Sequence, residues 1–477
     1  MKVMIVKRDF LKVSVVTFLV VMSLFVVELT NADEELPKNV ILLIGDGMGP
    51  YHVKLTRLCL GTELAMEAMD ETGPSCMTTY SLDPKDGITH KITDSAAAGT
   101  AIATGNKTYN HAVSVDFDGN NLTTVLERAE AVGKATGLIT DVFVEDATPA
   151  AFASHVEDRG MYEEIASQMA SKDVDVLMGA GRGYFLPKGK GSHGGQRKDG
   201  RNLIEEMKEM GYVYVDSAEE LEKVEINLNE GEKLLGLFGG FSAMTYDVDR
   251  QNDETINEPT LLEMTIKAIE VLSQDEDGFF LMVEGGAIDW VSHDRDVAAI
   301  VAEMEAFDAA VEYAWNWAMD NGNTLVVVTA DHECGGLQLT SDSVGNEPPT
   351  GVPISENLDV DFIMSITASI EYMWGKIKDG ADIRATVLTY TGYALTDEEV
   401  NSIKAAGKKG QMIISDILSE KAGVLWGFTG TDDGDHTFLP VPIYAYGPMA
   451  EAFDKVEDNT EFGQQLFIAV SGYWQEC

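Results

Sequence analysis

The sequence predicts an α/β fold: a large, mostly parallel central sheet sandwiched by helices, with a partly helical surface insertion. Two observations carry that prediction. Short apolar, β-branched runs recur along the chain, and each is followed by a stretch of helical pattern. The runs are continuously apolar rather than alternating, as strands covered on both faces must be, and such strands belong to parallel sheets.

The predicted strands are Asn39–Ile44, Gly137–Thr140, Val174–Met178, Phe279–Val283, Thr324–Thr329 and Pro442–Tyr446. Helical patterns cover Leu122–Val132, Met161–Ser171, Pro259–Ser273 and Val297–Met319, with Pro259 in the first turn, where a missing N–H costs nothing. Gly181–Glu258, rich in Gly, Asp and Glu, reads as loops with a small β element. Gln338–Thr429 reads as the partly helical surface insertion, in which Thr396-Asp397-Glu398-Glu399 is a capping box opening a helix. Ahead of all this, Lys2, Lys7, Arg8 and Lys12 precede an apolar stretch, Val13–Val27. A spanning helix needs about 20 residues, so this stretch reads as a secretory signal, cleaved after Ala32, with an uncleaved anchor as the alternative. The expected organisation is a signal peptide over 1–32 and one catalytic domain over 33–477 that carries 338–429 as its insertion. Either way the folded part is exported, to a periplasmic, cell-surface or extracellular location. No later stretch is long and apolar enough to span a membrane.

The charge narrows the partners. Asp and Glu number 80 against 34 Lys and Arg, a net charge of −46 spread along the chain. Such a surface repels phosphate backbones and anionic lipid, which excludes nucleic-acid wrapping. It suits a high-salt medium, where the self-repulsion is screened. Four cysteines in so long a chain, with no CxxC, exclude a disulfide scaffold and a thiolate zinc site. Cys59 and Cys76 are near enough in sequence for a bridge, and free buried thiols fit as well. A metal here is held by His and carboxylate.

In open parallel sheets, functional groups gather at the carboxyl ends of strands. Asp46 follows the first predicted strand between two glycines; Glu284, Asp289 and His293 follow the fourth; Asp331 and His332 follow the fifth; His436 lies just before the last. Asp289 and His293 are four apart, so on a helix they share a face and can grip one ion. Taken singly, an Asp after a strand reads as a helix cap and a lone His as a structural residue. Yet three of only eight histidines fall in these clusters, and the ordered set reads as a divalent-metal site. Ser95 stands at the start of a small-residue helix, Ser95-Ala96-Ala97-Ala98, where backbone N–H groups favour an anion. Alone it reads as an N-cap. No histidine lies near it in sequence and there is no GxSxG, so a metal is the remaining activator of its hydroxyl. Arg159, downstream of Asp146-Ala147-Thr148-Pro149, can clamp two phosphate oxygens or form a surface ion pair.

These pieces, in order, resemble the alkaline phosphatase family: Asp46-Gly47-Met48-Gly49, Thr93-Asp94-Ser95-Ala96-Ala97, Asp146-Ala147-Thr148-Pro149-Ala150 with Arg159, Val283-Glu284-Gly285 with Asp289 and His293, Thr329-Ala330-Asp331-His332, and Asp435-His436-Thr437. Six separated motifs in one order span residues 38 to about 450. The resemblance implies an alkaline-phosphatase-like fold and a phosphomonoesterase with two Zn2+ and one Mg2+ per chain. It implies Ser95 as the nucleophile that becomes a phosphoserine and Arg159 as the holder of the phosphoryl oxygens. It implies one zinc on Asp289, His293 and His436, the other on Asp46, Asp331 and His332, and magnesium on Asp46, Thr148 and Glu284. Asp146 would stand behind the magnesium ligands and Trp290 beside the phosphate. Small-molecule phosphate monoesters are the implied substrates, and a homodimer is the implied assembly.

Three features depart from the family pattern. Trp290 stands where some relatives carry Lys or His, which removes a cation from that place. His436 follows Asp331 by 105 positions, a longer span than compact bacterial members have. Cys334 lies two residues past His332 and reads as packing, because the ligand set is already full. A sulfatase, phosphodiesterase or mutase of the same superfamily is the nearest rival, but no CxPxR motif surrounds Ser95. An acidic, non-catalytic cation-binding protein would need no such ordered set.

Overall fold

A computed structural model describes residues 36–70, 73–190, 194–239, 243–339, 358–428 and 435–474. The fold described here lies within the compact unit Pro37–Cys477. The signal segment, its cleavage point and Cys477 lie outside the described residues.

One nine-stranded sheet organises the unit. Its strands are β1 (Asn39–Gly45), β2 (Ser75–Met77), β3 (Ala135–Phe143), β4 (Val176–Ala180), β5 (Tyr212–Val215), β6 (Lys233–Leu237), β7 (Phe279–Gly285), β8 (Thr324–Thr329) and β9 (Val441–Tyr446). The order across the sheet is β2-β9-β8-β1-β7-β3-β4-β6-β5. From β8 to β5 every pairing is parallel. At the other edge β9 pairs antiparallel with β8 and with β2. β1, β7 and β8 are buried along their whole length, as their unbroken apolar sequences require. The main helices are α1 (Ser95–Thr104), α2 (Ala147–Ala153), α3 (Leu261–Leu272), α4 (Ala287–His293) and α5 (Val297–Asn321).

Two expectations are refined. The strands in Gly181–Glu258 form no separate β element: β5 and β6 extend the central sheet at its far edge. Pro259 is not in the first turn of α3; Thr260 is the N-cap and closes a capping box with Glu263, so the proline stands just outside the helix. Within the segment expected to be an insertion, residues 358–428 fold into five helices, α6 (Val360–Ser365), α7 (Ile370–Lys378), α8 (Ile383–Thr391), α9 (Asp397–Ala406) and α10 (Gly410–Ala422). They enclose a small core of their own around Ile370, Met373, Trp374, Ile403 and Ile414. The capping box at Thr396 opens α9. Cys59, Cys76 and Cys334 are free thiols, so no bridge joins Cys59 to Cys76.

One ion-paired carboxylate away from the candidate site gives a clean pH test. Glu127 accepts from the Thr124 N–H at 3.0 Å, bonds His155 Nε2 at 3.1 Å and pairs with Lys172. Burial works to raise its pKa, but His155, Lys172 and the Thr124 N–H outweigh it and bring it down to about 2. A depressed carboxylate stabilises the fold above its unfolded pKa of about 4.3, and that contribution is lost as pH falls towards 2. Glu127→Gln should therefore cost about 1 kcal/mol at pH 7, reduced by the group's partial exposure. Urea midpoints of both proteins should differ at pH 6 and converge towards pH 3. A gap that does not change with pH would contradict the assignment.

Candidate metal and phosphate site

The site is assembled at the carboxyl ends of three adjacent strands. Asp46 is the first residue past β1, Glu284 lies at the end of β7, and Asp331 and His332 follow β8. The turn after β1 needs glycine: Gly47 has φ +71, and a Cβ there would lie 2.9 Å from both Asp289 Oδ1 and Cys334 Cβ. The Gly47 N–H donates to Asp331 Oδ1 at 3.1 Å, which ties the first turn to the turn after β8. Asp289 and His293 share a face of α4, with Oδ2 and Nε2 3.3 Å apart. His436 arrives from far along the chain on a two-residue ladder in which Cys334 pairs with His436 and Glu333 with Thr437.

Two groups of ligand-type side chains result. Asp46, Asp331 and His332 bring one ligand atom each to within 4.8 Å of the others, and Asp289, His293, Cys334 and His436 do the same. His332 Nε2 lies 3.1 Å from Asp331 Oδ2 and 3.5 Å from Asp46 Oδ1. His436 Nε2 lies 3.5 Å from Asp289 Oδ1 and 3.3 Å from His293 Nε2. The His332 and His436 rings stack at 3.6 Å, so the groups share a border. Ser95 sits at that border. Its Oγ is 3.2 Å from His332 Nε2, and the neighbouring Thr93 carbonyl meets His436 Nδ1 at 2.8 Å. That bond leaves His436 Nε2 to face the group.

The serine is not the N-cap that an isolated reading suggests. Asp94 caps α1, accepting from the Ala97 N–H at 3.0 Å, and Ser95 is the first helical residue. Its hydroxyl is therefore not used by the cap. Arg159 Nη2 donates to Asp146 Oδ1 at 2.8 Å, and its Nη1 lies 3.6 Å from Asp94 Oδ2. Burial works against the guanidinium's charge, but Asp146 and Asp94 hold its pKa above the usual value. Thr148 Oγ1 donates to Asp46 Oδ2 at 3.3 Å, and Thr140 Oγ1 donates to Glu284 Oε2 at 2.5 Å.

The electrostatics call for cations. Burial, and then the charges of Asp331, Asp289 and Glu284, push Asp46 well above the usual carboxylate range. Burial, then Asp146, does the same to Glu284, and burial with Asp289 raises Asp331 to about 7. Asp46 Oδ1, Glu284 Oε1, Asp289 Oδ1, Asp331 Oδ2 and His332 Nδ1 are buried with no hydrogen-bond partner. Buried carboxylate oxygens without partners are expensive unless a bound positive charge satisfies them. The donor set, carboxylate and imidazole in two adjoining groups, fits divalent metal ions.

The alkaline phosphatase family pattern matches residues 37–471. The chain belongs to the alkaline phosphatase family. Alkaline phosphatase 3 of Bacillus subtilis (strain 168) is 38% identical over 456 residues, which cover 92% of this chain and 90% of that protein. The structure of the cold-active alkaline phosphatase of a psychrophilic Shewanella species superposes with a TM-score of 0.75 at 30% identity, covering 91% of this chain and 99% of that one. The Thermus thermophilus alkaline phosphatase gives a TM-score of 0.77 at 26% identity, covering 92% of each chain. The alkaline-phosphatase-like fold expected from the motifs is thus the fold of this chain, and the activity of its family is phosphate monoester hydrolysis. The chain is a phosphoric monoester hydrolase of a metal-dependent family.

Cys334 packs, as its sequence position suggested, while Asp94 and Trp290 make contacts that the sequence did not indicate. Cys334 lies in the ligand group by position, yet its Sγ donates to the Asp289 carbonyl at 3.8 Å, and burial, then Asp289, holds the thiol well above its usual pKa. Such a neutral thiol packs. Asp94 both caps α1 and faces Arg159, and nothing in its spacing indicated the second contact. Trp290 meets Phe143 edge-on, ring centroids 6.0 Å apart, and walls a cavity shared with Tyr246 and with Tyr372 of the insertion.

Proposed function

We propose that the protein is an exported alkaline phosphatase that hydrolyses phosphate monoesters through a phosphoserine on Ser95, at a site built for two Zn2+ and one Mg2+. The observation that carries this reading is the Ser95 hydroxyl, uncommitted to its helix cap and held at the border of two buried ligand groups. Asp289, His293 and His436 would hold one zinc, Asp46, Asp331 and His332 the other, and Asp46, Thr148 and Glu284 the magnesium. Such cations supply positive charge that lowers the pKa of an adjacent hydroxyl or water and offsets phosphoryl oxygen charge.

The chain's own residues perform the rest. Arg159, oriented by Asp146 and Asp94, offers its planar fork to two phosphoryl oxygens. The first turn of α1 presents its N–H groups at the same place. Ser95 Oγ attacks phosphorus as the ester P–O bond breaks, and the alcohol leaves with a proton. Water then attacks the phosphoserine, the Ser95 P–O bond breaks, and inorganic phosphate departs. Cations held by the two ligand groups would offset the charge that develops in both halves of the reaction, and Arg159 adds its own positive charge.

The chain past Ala32 is read as one catalytic domain that carries 338–429 at its surface, and its acidity as adaptation to salt. Among the described residues no helix is long and apolar enough to cross a membrane. Release of p-nitrophenol from p-nitrophenyl phosphate, with the bis-ester and the sulfate in parallel, tests the reading. Cleavage of the phosphate monoester alone supports it; preference for the bis-ester or the sulfate would replace it with the phosphodiesterase or sulfatase reading.

Trp290 offers a second test. A lysine there brings a cation to α4 directly after Asp289. Trp290→Lys should lower the phosphate inhibition constant by up to about tenfold, on the order of 1 kcal/mol for a screened contact. Where phosphate release limits turnover, kcat at alkaline pH should fall. An unchanged inhibition constant with a lowered Tm would mean that Trp290 only packs.

A further inference from the structure

The cavity walled by Trp290 has a volume of about 520 Å3, within the range of small-molecule sites. It lies between α4, the segment around Tyr246 and Asp253, and helix α7 of the insertion. Its position relative to the phosphate follows from α4. Trp290 directly succeeds Asp289 and lies three residues before His293, whose side chain is 39% exposed. Residues three apart on a helix are neighbours, with Cβ atoms about 5–6 Å apart. Trp290, which walls the cavity, is therefore a helical neighbour of His293 in the ligand group.

The lining has a definite chemistry. Three aromatic side chains line it, Trp290, Tyr246 and Tyr372. Asp253, Glu371 and Asp379 add carboxylates at exposed positions on its rim. Lys376 is the one cationic side chain among the described lining residues, and its Nζ sits 4.8 Å from the Tyr372 ring centroid. An ammonium is thus already seated on a ring of this cavity. Aromatic faces backed by carboxylates select organic cations.

We propose that this cavity is a subsite for the alcohol part of the substrate and that it selects phosphate monoesters whose alcohol carries a quaternary or primary ammonium. The proposal rests on the phosphomonoesterase reading and deepens it. With phosphate at Ser95 and Arg159, a short aminoalkyl arm passes His293 and places its nitrogen among Trp290, Tyr246 and Tyr372. The carboxylates at the rim draw the cation in, and the rings discriminate it from a hydrocarbon of equal size.

The test compares phosphocholine with 3,3-dimethylbutyl phosphate, its uncharged isostere, on the metal-loaded full chain at fixed ionic strength. The wild type should favour phosphocholine by about tenfold in kcat/KM, which is about 1.4 kcal/mol. Tyr372→Leu, and separately Asp253→Asn combined with Asp379→Asn, should bring the ratio close to one while p-nitrophenyl phosphate turnover stays unchanged. A wild-type ratio near one with normal p-nitrophenyl phosphate turnover overturns the subsite and leaves the enzyme reading intact. A tenfold ratio that both variants retain also overturns it, because the selection would then arise elsewhere. Absence of p-nitrophenyl phosphate turnover in the metal-loaded wild type would overturn the phosphomonoesterase reading and the subsite with it.

Discussion

Ser95→Ala is expected to lower kcat on p-nitrophenyl phosphate on the order of a thousand-fold or more, with the fold intact. The size follows from the role: removal of a nucleophile deletes the group that forms the covalent intermediate, and no neighbouring side chain can replace it. Ser95 is buried, 3.2 Å from His332, and its hydroxyl is not engaged in capping α1. The fold should hold because Asp94, not Ser95, satisfies the Ala97 N–H. Residual turnover is expected if water attacks the phosphate directly. Steady-state rates and thermal melts on one preparation check both halves. A variant that keeps a tenth or more of the wild-type rate would rule out Ser95 as nucleophile.

Removal of divalent metal is expected to have the other large effect, on stability as well as on rate. Asp46, Glu284, Asp289 and Asp331 crowd into one buried region with several oxygens lacking partners. Bound cations offset that repulsion, so the folded state binds them far more tightly than the unfolded chain does. At a free concentration a thousand times the dissociation constant, one ion stabilises by about 4 kcal/mol. Dialysis against EDTA should abolish phosphatase activity and lower Tm by several degrees. Added zinc and magnesium together should restore both. If Tm and activity survive exhaustive chelation, the two ligand groups are not metal sites.

Much of this site was legible in the sequence because parallel sheets place chemistry at one kind of address. Asp46, Glu284, Asp331 and His332 each follow an unbroken apolar run, so their convergence on one edge followed from the topology. Asp289 and His293 were readable from helical spacing alone. His436 was readable from its place just before the last strand, but its partners were not, since a two-residue ladder to Cys334 leaves no periodicity to detect. The strands β5 and β6 were underread for a related reason: Tyr212–Val215 and Lys233–Leu237 are short and half-buried in part, and only their pairing assigns them to the main sheet. Trp290 illustrates a different limit. Its place after Asp289 indicated nearness to the phosphate, but the cavity it walls is made jointly with the insertion, and long-range packing of that kind has no local signature.

The central claim is that Ser95 carries the phosphoryl group between substrate and water. Rapid acid quenching of the metal-loaded enzyme with radiolabelled phosphate, followed by proteolysis and peptide mapping, measures this directly. The account predicts a stable phosphoserine in the peptide that contains Thr93-Asp94-Ser95, and no label in the Ser95→Ala variant. Label on another residue, or full turnover with no covalent phosphate at any time point, would contradict it.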